Sequence, residues 1–432
     1  MLRYFGHRPL ILLLLGMVIG INLHWFVLGF LAVVAFSIFY KERIITIIAF
    51  GLLIGSLVGT AFSRHELPNP SNFSGVVEVR SFSEFRQDAT LVDAKVGDFR
   101  TVLRIPGQVA LSPGDMVDVI SQNQGSRKGS ISAKEYTVLP GGVLHQLSVW
   151  RLDAMAKLQE LYGDKNGAWI QSLTFNFPNN LTQEDKSNLI LSGTYHLVSA
   201  SGIHVVVIAL FIQQVLFLFA IPRHHLLWII FGLLLVYTCF TGFHPPTLRA
   251  AIMWQVGSCA YLFRRSQDGL SALSLAAVFW LIFDPDALFQ AGFQLSYVVT
   301  GALLVWFERL PSQLPDWVKA VQGSCVAFLA AEPISAWWFG RIIFSGVVTN
   351  LLIELPSSAV MILGFLSLIP GLGSLFVMLG SPLVKYLQIA TSWTSALPTL
   401  EVARQSVPVV VMIAYYVCLL LILVPRTRKL AK

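Results

Sequence analysis

The chain has 432 residues, 55% of them hydrophobic and only 12% charged. A soluble domain carries about 25% charged residues, so the composition excludes an ordinary soluble enzyme and points to an integral membrane protein with a small water-exposed part. The net charge of +7 suits a polyanionic partner, although the excess sits in the apolar regions and their loops rather than in the exposed segment.

In chain order, apolar runs approaching the ~30 Å of a hydrocarbon core first occur at 10–22, 24–40 and 44–62. No small-residue cleavage site follows the first run, which predicts a retained anchor rather than a removed leader. Residues 63–142 differ in character. Leu67-Pro68-Asn69-Pro70 breaks the apolar pattern, and short β-forming runs follow at Gly75–Phe82, Ala89–Lys95, Phe99–Ile105, Met116–Ser121 and Ala133–Leu139. Ser112-Pro113-Gly114-Asp115 and Gln124-Gly125-Ser126 read as turns between them. Five short strands predict a small all-β barrel of the oligonucleotide/oligosaccharide-binding (OB) type. A plain β-sandwich has the same strand count, and both readings stay open at this level.

Residues 143–162 carry apolar side chains at Leu144, Leu147, Val149, Leu152, Met155, Leu158 and Leu161. This spacing predicts an amphipathic helix, placed at the membrane interface with Trp150 near the headgroups. After Asn179-Asn180, Thr182 with Asp185 three residues on predicts a capped second helix, so that 143–195 reads as interfacial. From 196 to 432 the chain is nearly continuous apolar helix, with runs at 197–221, 225–241, 247–263, 269–283, 290–307, 321–338, 343–366, 371–388 and 407–425. The expectation is a polytopic α-helical membrane protein of about twelve spans, with N-terminal membrane helices at 1–62, an exported OB-like domain and a channel-forming region at 196–432. With twelve spans, Arg3, Arg8, Lys41, Arg43, Arg223, Arg264, Arg265, Arg309, Lys319 and the basic tail from Arg426 fall on one side, the cytoplasm. Residues 63–196 then face the periplasm or the cell exterior, and Arg341 is the main basic exception. The four cysteines lie in separate apolar runs, a pattern of small core residues with neither a zinc nor a disulfide framework.

The segment Gly193–His204 places His196, Ser199, Ser201, Gly202 and His204 at the mouth of an apolar run. A buried polar group without a partner costs about 2–7 kcal/mol. Such residues at a membrane mouth therefore pack on other polar groups, line water or touch a substrate. Further polar residues interrupt later spans: Arg249, Gln294 and Ser296 beside Gly292, Glu332 before Pro333, and Asn350 and Glu354 before Pro356. A carboxylate at the bilayer centre costs about 2.5–3.5 kcal/mol, so Glu332 and Glu354 are expected to face protein or water, or to pair with Arg249 or Arg341. In the exported domain, Arg100, Arg104, Arg127, Lys128 and Lys134 are the candidate nucleic-acid contacts, with Phe85 or Phe99 as a stacking platform. A solvated mixed surface fits the same residues.

The stretch His196-Leu197-Val198-Ser199-Ala200-Ser201-Gly202-Ile203-His204-Val205 resembles the HLLAISGLHV signature of the ComEC DNA-uptake channels. Thr241-Gly242 with Arg249-Ala250 and Met253, Arg264-Arg265, Asp284-Pro285, Gly292-Phe293-Gln294-Leu295-Ser296, Phe339-Gly340-Arg341, and Asn350-Leu351 with Pro356 follow in the family's order. The resemblance implies a multi-pass inner-membrane channel for single-stranded DNA in natural transformation, in contact with membrane lipids. It also implies a separate DNA receptor, nuclease and cytoplasmic motor as partners, and it is compatible with an oligomer. Two departures bear on this. Many family members carry a C-terminal metallo-β-lactamase-like domain. Here no His follows His244 and no His-x-His-x-Asp-His signature is present, so neither a metal, a cofactor nor an enzymatic activity is expected of this chain. Ser199-Ala200-Ser201 stands where the family has Ala-Ile-Ser, which makes Ser199 a variant position. Two other readings compete: a transporter of another solute through the same polar cavity, and an intramembrane serine hydrolase built on Ser201 and His204.

Overall fold

The computed structural model describes residues 8–22, 55, 73–80, 83–86, 89–97, 99–121, 130–139, 142–198, 202–219, 221–241, 245–311, 313–404 and 407–423. The expected spans at 24–40 and, apart from Gly55, 44–62 lie outside these residues.

The β-rich segment is a closed barrel. Its strands are β1 (Ser74–Val79), β2 (Glu84–Arg86), β3 (Ala89–Val96), β4 (Phe99–Pro106), β5 (Met116–Ser121) and β6 (Ser130–Leu139). β1 pairs antiparallel with both β3 and β5, β3 pairs with β4 and β5 with β6, and β4 runs parallel to β6. The ring β1-β3-β4-β6-β5 therefore closes on itself, which decides for the OB-like barrel over the open sandwich. The short β2, which the sequence did not signal, extends the edge of β3. Strict alternation drives closure: Val117 and Val119 of β5 point inward while Met116, Asp118 and Ile120 point out. Val77, Val79, Val92, Leu103, Ile105 and Ile131 complete the interior. Leu111 closes one end, held by Ser83 Oγ, which accepts from Leu111 N at 2.8 Å and donates to the Val109 carbonyl at 2.8 Å.

The Ser112–Asp115 turn joins the barrel to the helices. Asp115 is fully buried. Its Oδ2 accepts from Ser112 N at 2.8 Å and Ser112 Oγ at 3.1 Å, and His145 Nδ1 lies 2.9 Å from the same oxygen.

The helices are α1 (Pro9–Asn22), α2 (Val143–Phe175), α3 (Gln183–Leu191), α4 (Gly202–Phe217), α5 (Arg223–Thr241), α6 (Pro245–Leu262), α7 (Gly269–Phe283), α8 (Ala291–Phe307), α9 (Asp316–Phe339), α10 (Gly346–Ser367), α11 (Gly373–Ser395) and α12 (Val409–Leu423). α2 departs most from expectation. Gly163 has φ 73° and ψ 178°, a conformation essentially open only to glycine. There the helix folds back on itself. Gln171 Nε2 donates to the Met155 carbonyl at 2.7 Å, and Arg151 to the Phe175 carbonyl at 3.0 Å, across 16 and 24 residues. A straight helix would separate these pairs by about 24 and 36 Å. α2 is thus an antiparallel hairpin. Its second arm is buried among other helices: Trp169, Ile170, Leu173, Phe175 and, just beyond, Phe177 form one cluster with Val205 of α4, Ile230 and Leu234 of α5, Val360 and Met361 of α10, and Val384 and Leu387 of α11. The α3 cap is as expected, Thr182 Oγ1 accepting from Asp185 N at 3.0 Å.

Among the described residues, three helices are long and apolar enough to cross a membrane, at His224–Thr241, Gly346–Ser367 and Gly373–Ser395. Shorter apolar helices occur at Pro9–Ile19, Gly202–Phe217, Gly269–Phe283, Ala291–Phe307 and Val410–Leu423. An ionic cluster gathers one end of the bundle. Arg8 reaches Asp268, before α7, at 3.0 Å and Glu308, after α8, at 2.7 Å, while Arg309 donates to the last carbonyls of α12.

Pro333, Pro356 and Pro382 lie inside helices and leave carbonyls without their i→i−4 donor, and at two of them a tyrosine takes the donor's place. Pro333 in α9 strips the Leu329 carbonyl, and Tyr415 Oη of α12 donates to that oxygen at 2.9 Å. Pro356 in α10 strips the Leu352 carbonyl, which Tyr386 Oη of α11 reaches at 3.2 Å. Each hydroxyl replaces the missing amide, as apolar surroundings require. Tyr415→Phe should therefore destabilise the protein by about 1–3 kcal/mol. The same change in a Pro333→Ala background should cost much less, because the amide of residue 333 then serves Leu329. Denaturant unfolding of the four variants in detergent checks this, and equal losses in both backgrounds would refute the assignment.

Candidate functional site: a buried guanidinium where three helices begin

The mouth segment is shaped by the end of α3. Gly193, at φ 75°, donates to the Ile190 carbonyl and Thr194 N to the Leu189 carbonyl, the two bonds of a Schellman stop. Gly193 also lies where the chain enters α10: a Cβ there would meet Gly346 Cα at 3.3 Å and Ile343 Cγ2 at 3.4 Å. Ser192 Oγ and Thr194 Oγ1, both buried, bond at 2.7 Å. The 3₁₀ turn Tyr195–Leu197 follows. In it His196 Nδ1 donates to the Gly193 carbonyl at 3.0 Å, which leaves Nε2 as the acceptor of the neutral ring. Ser199 and Ser201 lie outside the described residues.

α4 starts at Gly202, and α6 starts at Pro245, a favoured residue type for a first turn. Arg249, on the second turn of α6, is only 9% exposed. Its Nη1 donates to Ser296 Oγ at 2.5 Å and Thr300 Oγ1 at 2.6 Å, and also to the Ser296 carbonyl. The guanidinium carbon lies 5.9 Å from the Tyr297 ring centre. Gly202 closes the other side, where a Cβ would overlap the guanidinium. His204, 1% exposed, lies two residues further along α4. Its Nε2 and the Arg249 Nε have no hydrogen-bond partner among the described residues, and His196 is within electrostatic range of His204. Among the described residues no carboxylate lies within ion-pairing distance of Arg249. A buried cation is normally paired; here hydroxyls, a carbonyl and an aromatic face take the place of a counter-ion.

The structure thus brings Gly202, Arg249 and Ser296 together, while His204 stands further along α4 beside His196. Thr300 and Tyr297 belong with Arg249 and were missed. Their signal was the i, i+4 spacing of Ser296 and Thr300, which puts two hydroxyls on one helix face.

The remaining sequence candidates stand elsewhere. Gln294 is a structural tie, donating to the Leu288 carbonyl at 2.9 Å and accepting from Trp338 Nε1 at 2.9 Å. Gly292 contacts nothing that a methyl group would meet. Glu332 pairs with neither arginine: Oε2 accepts from Ile343 N at 3.3 Å, and Arg341 pairs instead with Glu401 at 3.7 Å. Glu354 makes no ion pair among the described residues, and Asn350 Oδ1 is buried without a hydrogen-bond partner there. No hydrogen bond or ion pair links these residues to Arg249, so the expected pairing of Glu332 or Glu354 with Arg249 or Arg341 is corrected. On the barrel, Arg104 and Lys134 are exposed. Lys134 is the extra residue of a β-bulge, between Ala133 and Glu135 where these pair with Ser121 and Ile120. Arg127, Lys128 and the side chain of Arg100 lie outside the described residues. Among the described residues no group of three His, Cys, Asp or Glu is placed to hold a metal ion.

The family model described as "Competence protein" matches residues 173–429. The chain belongs to the competence-protein family. The matched region takes in the whole Arg249 cluster and leaves out the barrel. Among curated proteins, ComE operon protein 3 of Bacillus subtilis (strain 168) is 29% identical over 219 residues, 48% of this chain and 26% of that protein. Recombination protein 2 of Haemophilus influenzae is 29% identical over 133 residues, 29% of this chain and 17% of that protein. The uncharacterized protein YcaI of Escherichia coli (strain K12) is 26% identical over 216 residues, 47% of this chain and 28% of that protein. The matches thus span no more than 28% of the length of these relatives. No solved structure matches the chain significantly.

In this member of the family, Gly202→Ala should force the Arg249 guanidinium off its three acceptors and cost about 1–3 kcal/mol through overpacking. Gly292→Ala, with nothing for its methyl group to meet, should cost nothing. Thermal unfolding of the two purified variants beside the parent measures the difference.

Proposed function

We propose that this chain is a multi-pass channel of the bacterial inner membrane that passes single-stranded DNA into the cytoplasm during natural transformation. The reading takes in about twelve spans, with the barrel outside and the ends of the Arg8–Asp268–Glu308 cluster inside. Three observations support it. The chain is a competence-family member. The N-terminal halves of α4, α6 and α8 converge at the Arg249 cluster. The starts of α1 and α7 and the end of α8 converge at Arg8, as an alternating up-and-down arrangement of spans demands. The observation that carries the reading is Arg249 itself, a buried cation held, among the described residues, by neutral groups alone. Hydroxyls and a carbonyl are weaker partners than an anion, so a phosphate arriving at the mouth would compete for the guanidinium. Such a contact attracts the backbone without reading sequence.

Arg249→Ala should therefore cut transformation by at least tenfold. Arg249→Lys should retain part of it, because a point charge still attracts phosphate while the planar fork is lost. Transformation frequency at matched protein level in the membrane is the measurement, and an Arg249→Ala strain that transforms normally would refute the reading. In the same reading the chain is not a nuclease, and a separate receptor, nuclease and motor serve it. Purified protein supplied with magnesium, manganese or zinc should leave single-stranded DNA intact, and metal-dependent digestion abolished by a substitution in this chain would overturn that part.

A further inference from the structure

The strap that ties the end of α9 to the segment between α11 and α12 has no part in the Arg249 cluster. α9 stops at Gly340, whose φ of 72° is left-handed. Val402 N donates to the Gly340 carbonyl at 2.9 Å, and a two-residue ladder, β7 (Arg341–Ile342) with β8 (Leu400–Glu401), pairs Arg341 with Glu401. A Cβ at residue 340 would meet the Val402 carbonyl oxygen at 2.8 Å and Arg404 Cγ at 2.9 Å, so the close approach of the two strands needs a glycine.

The strap encloses an open pocket lined by Phe339, Arg341, Glu401 and Arg404 with the Gly340 and Val402–Ala403 backbone. Phe339 is 52% exposed at its rim. Arg404 is exposed and has no ion pair among the described residues. Among the described residues the Arg341 side chain has one ion pair, at 3.7 Å with Glu401, whose own side chain is 77% exposed. An accessible aromatic ring beside two lightly held guanidinium groups is the combination that binds single-stranded nucleic acid: the ring stacks a base and the cations follow the backbone. The pocket also adjoins the mouth. Two residues beyond Arg341, the Ile343 side chain lies against Gly193.

We propose that this pocket is a docking site for single-stranded DNA, engaged before the strand reaches the Arg249 cluster, with a base on Phe339 and phosphates on Arg341 and Arg404. The proposal rests on the DNA-channel reading for its ligand but not on the role of Arg249. The test is fluorescence anisotropy of the full-length protein in nanodiscs of neutral lipid, titrated with a labelled oligothymidylate over a range of salt. Phe339→Ala should weaken binding about fivefold or more, and Phe339→Trp should restore it. Arg404→Gln should lower the slope of log affinity against log salt by about 0.7, the share of one phosphate contact on a single strand. Glu401→Gln, which removes the carboxylate that competes for Arg341, should tighten binding. Parental affinity and salt slope in both Phe339→Ala and Arg404→Gln would overturn the proposal. So would a loss that appears only in nanodiscs of anionic lipid, because the pocket would then serve a lipid headgroup. The two readings fail separately: an Arg249→Ala protein that transforms normally while Arg404→Gln binds weakly sinks the channel path and spares the docking site.

Discussion

The fold-back of the chain at Gly163 is the constraint on which the rest of the structure depends. One arm of the hairpin carries the barrel through His145, and the other is buried among α4, α5, α10 and α11. Without a reversal there, a continuous helix of 33 residues would run about 50 Å and carry Trp169 and Phe175 away from their neighbours. With it, Phe175 packs edge-on against Phe240 and Phe365 at 6.1 and 5.6 Å, and the chain leaves the core toward α3 and the mouth. Several buried polar groups of the hairpin are served internally. Tyr162 Oη bonds Ser367 at 2.7 Å, and Ser172 Oγ donates to the Ala168 carbonyl at 2.6 Å. Such closure is what lets a hairpin with this many polar side chains sit among apolar helices.

Within that frame, the Arg249 cluster is the most costly feature of the helical region. Desolvating a guanidinium costs several kcal/mol, and three hydrogen bonds from one nitrogen together with an aromatic face return only part of it. Proteins tolerate such an imbalance where the group has work to do. The contrast with Arg8 is instructive. That arginine, at the opposite end of α7 and α8, has two carboxylates and binds three segments together as a structural fastener. Arg249 also joins three segments, but through neutral groups that an anion can displace.

Much of the fold was legible in the sequence. The five barrel strands announced themselves by alternation between turn residues, and the Thr182 cap by its spacing to Asp185. The apolar runs from 197 onward became helices with shifts in their ends, the largest at α11, which runs on past 388 to Ser395, while α10 starts at Gly346 because residues 341–345 form the strap and its return. The second hairpin arm was not legible. Gln171, Ser172 and Thr174 interrupt its apolar residues, so residues 164–177 read as surface, and only tertiary structure reveals that all three are buried and that Gln171 and Ser172 are hydrogen-bonded there. The site was legible in part. Polar residues in spans mark Arg249 and Ser296 by their cost, but cost alone does not say which of them meet. Gln294 and Glu332 carry the same signal and turn out to be ties to Trp338 and Ile343. The prolines were visible and the tyrosines serving their stranded carbonyls were not, since residues 333 and 415 are brought together only by packing.

The joint at Asp115 has a mechanical consequence. The barrel does not hang on a free linker, for a buried carboxylate shared by Ser112 and His145 fixes it to the first turn of a stiff helix. Twenty residues further on, that helix turns at Gly163 beneath the core. A pull on the barrel is therefore a torque on a lever, with its short arm lodged against α10 and α11. Whatever the barrel grips, the load is delivered to the centre of the helical body and not absorbed at the surface.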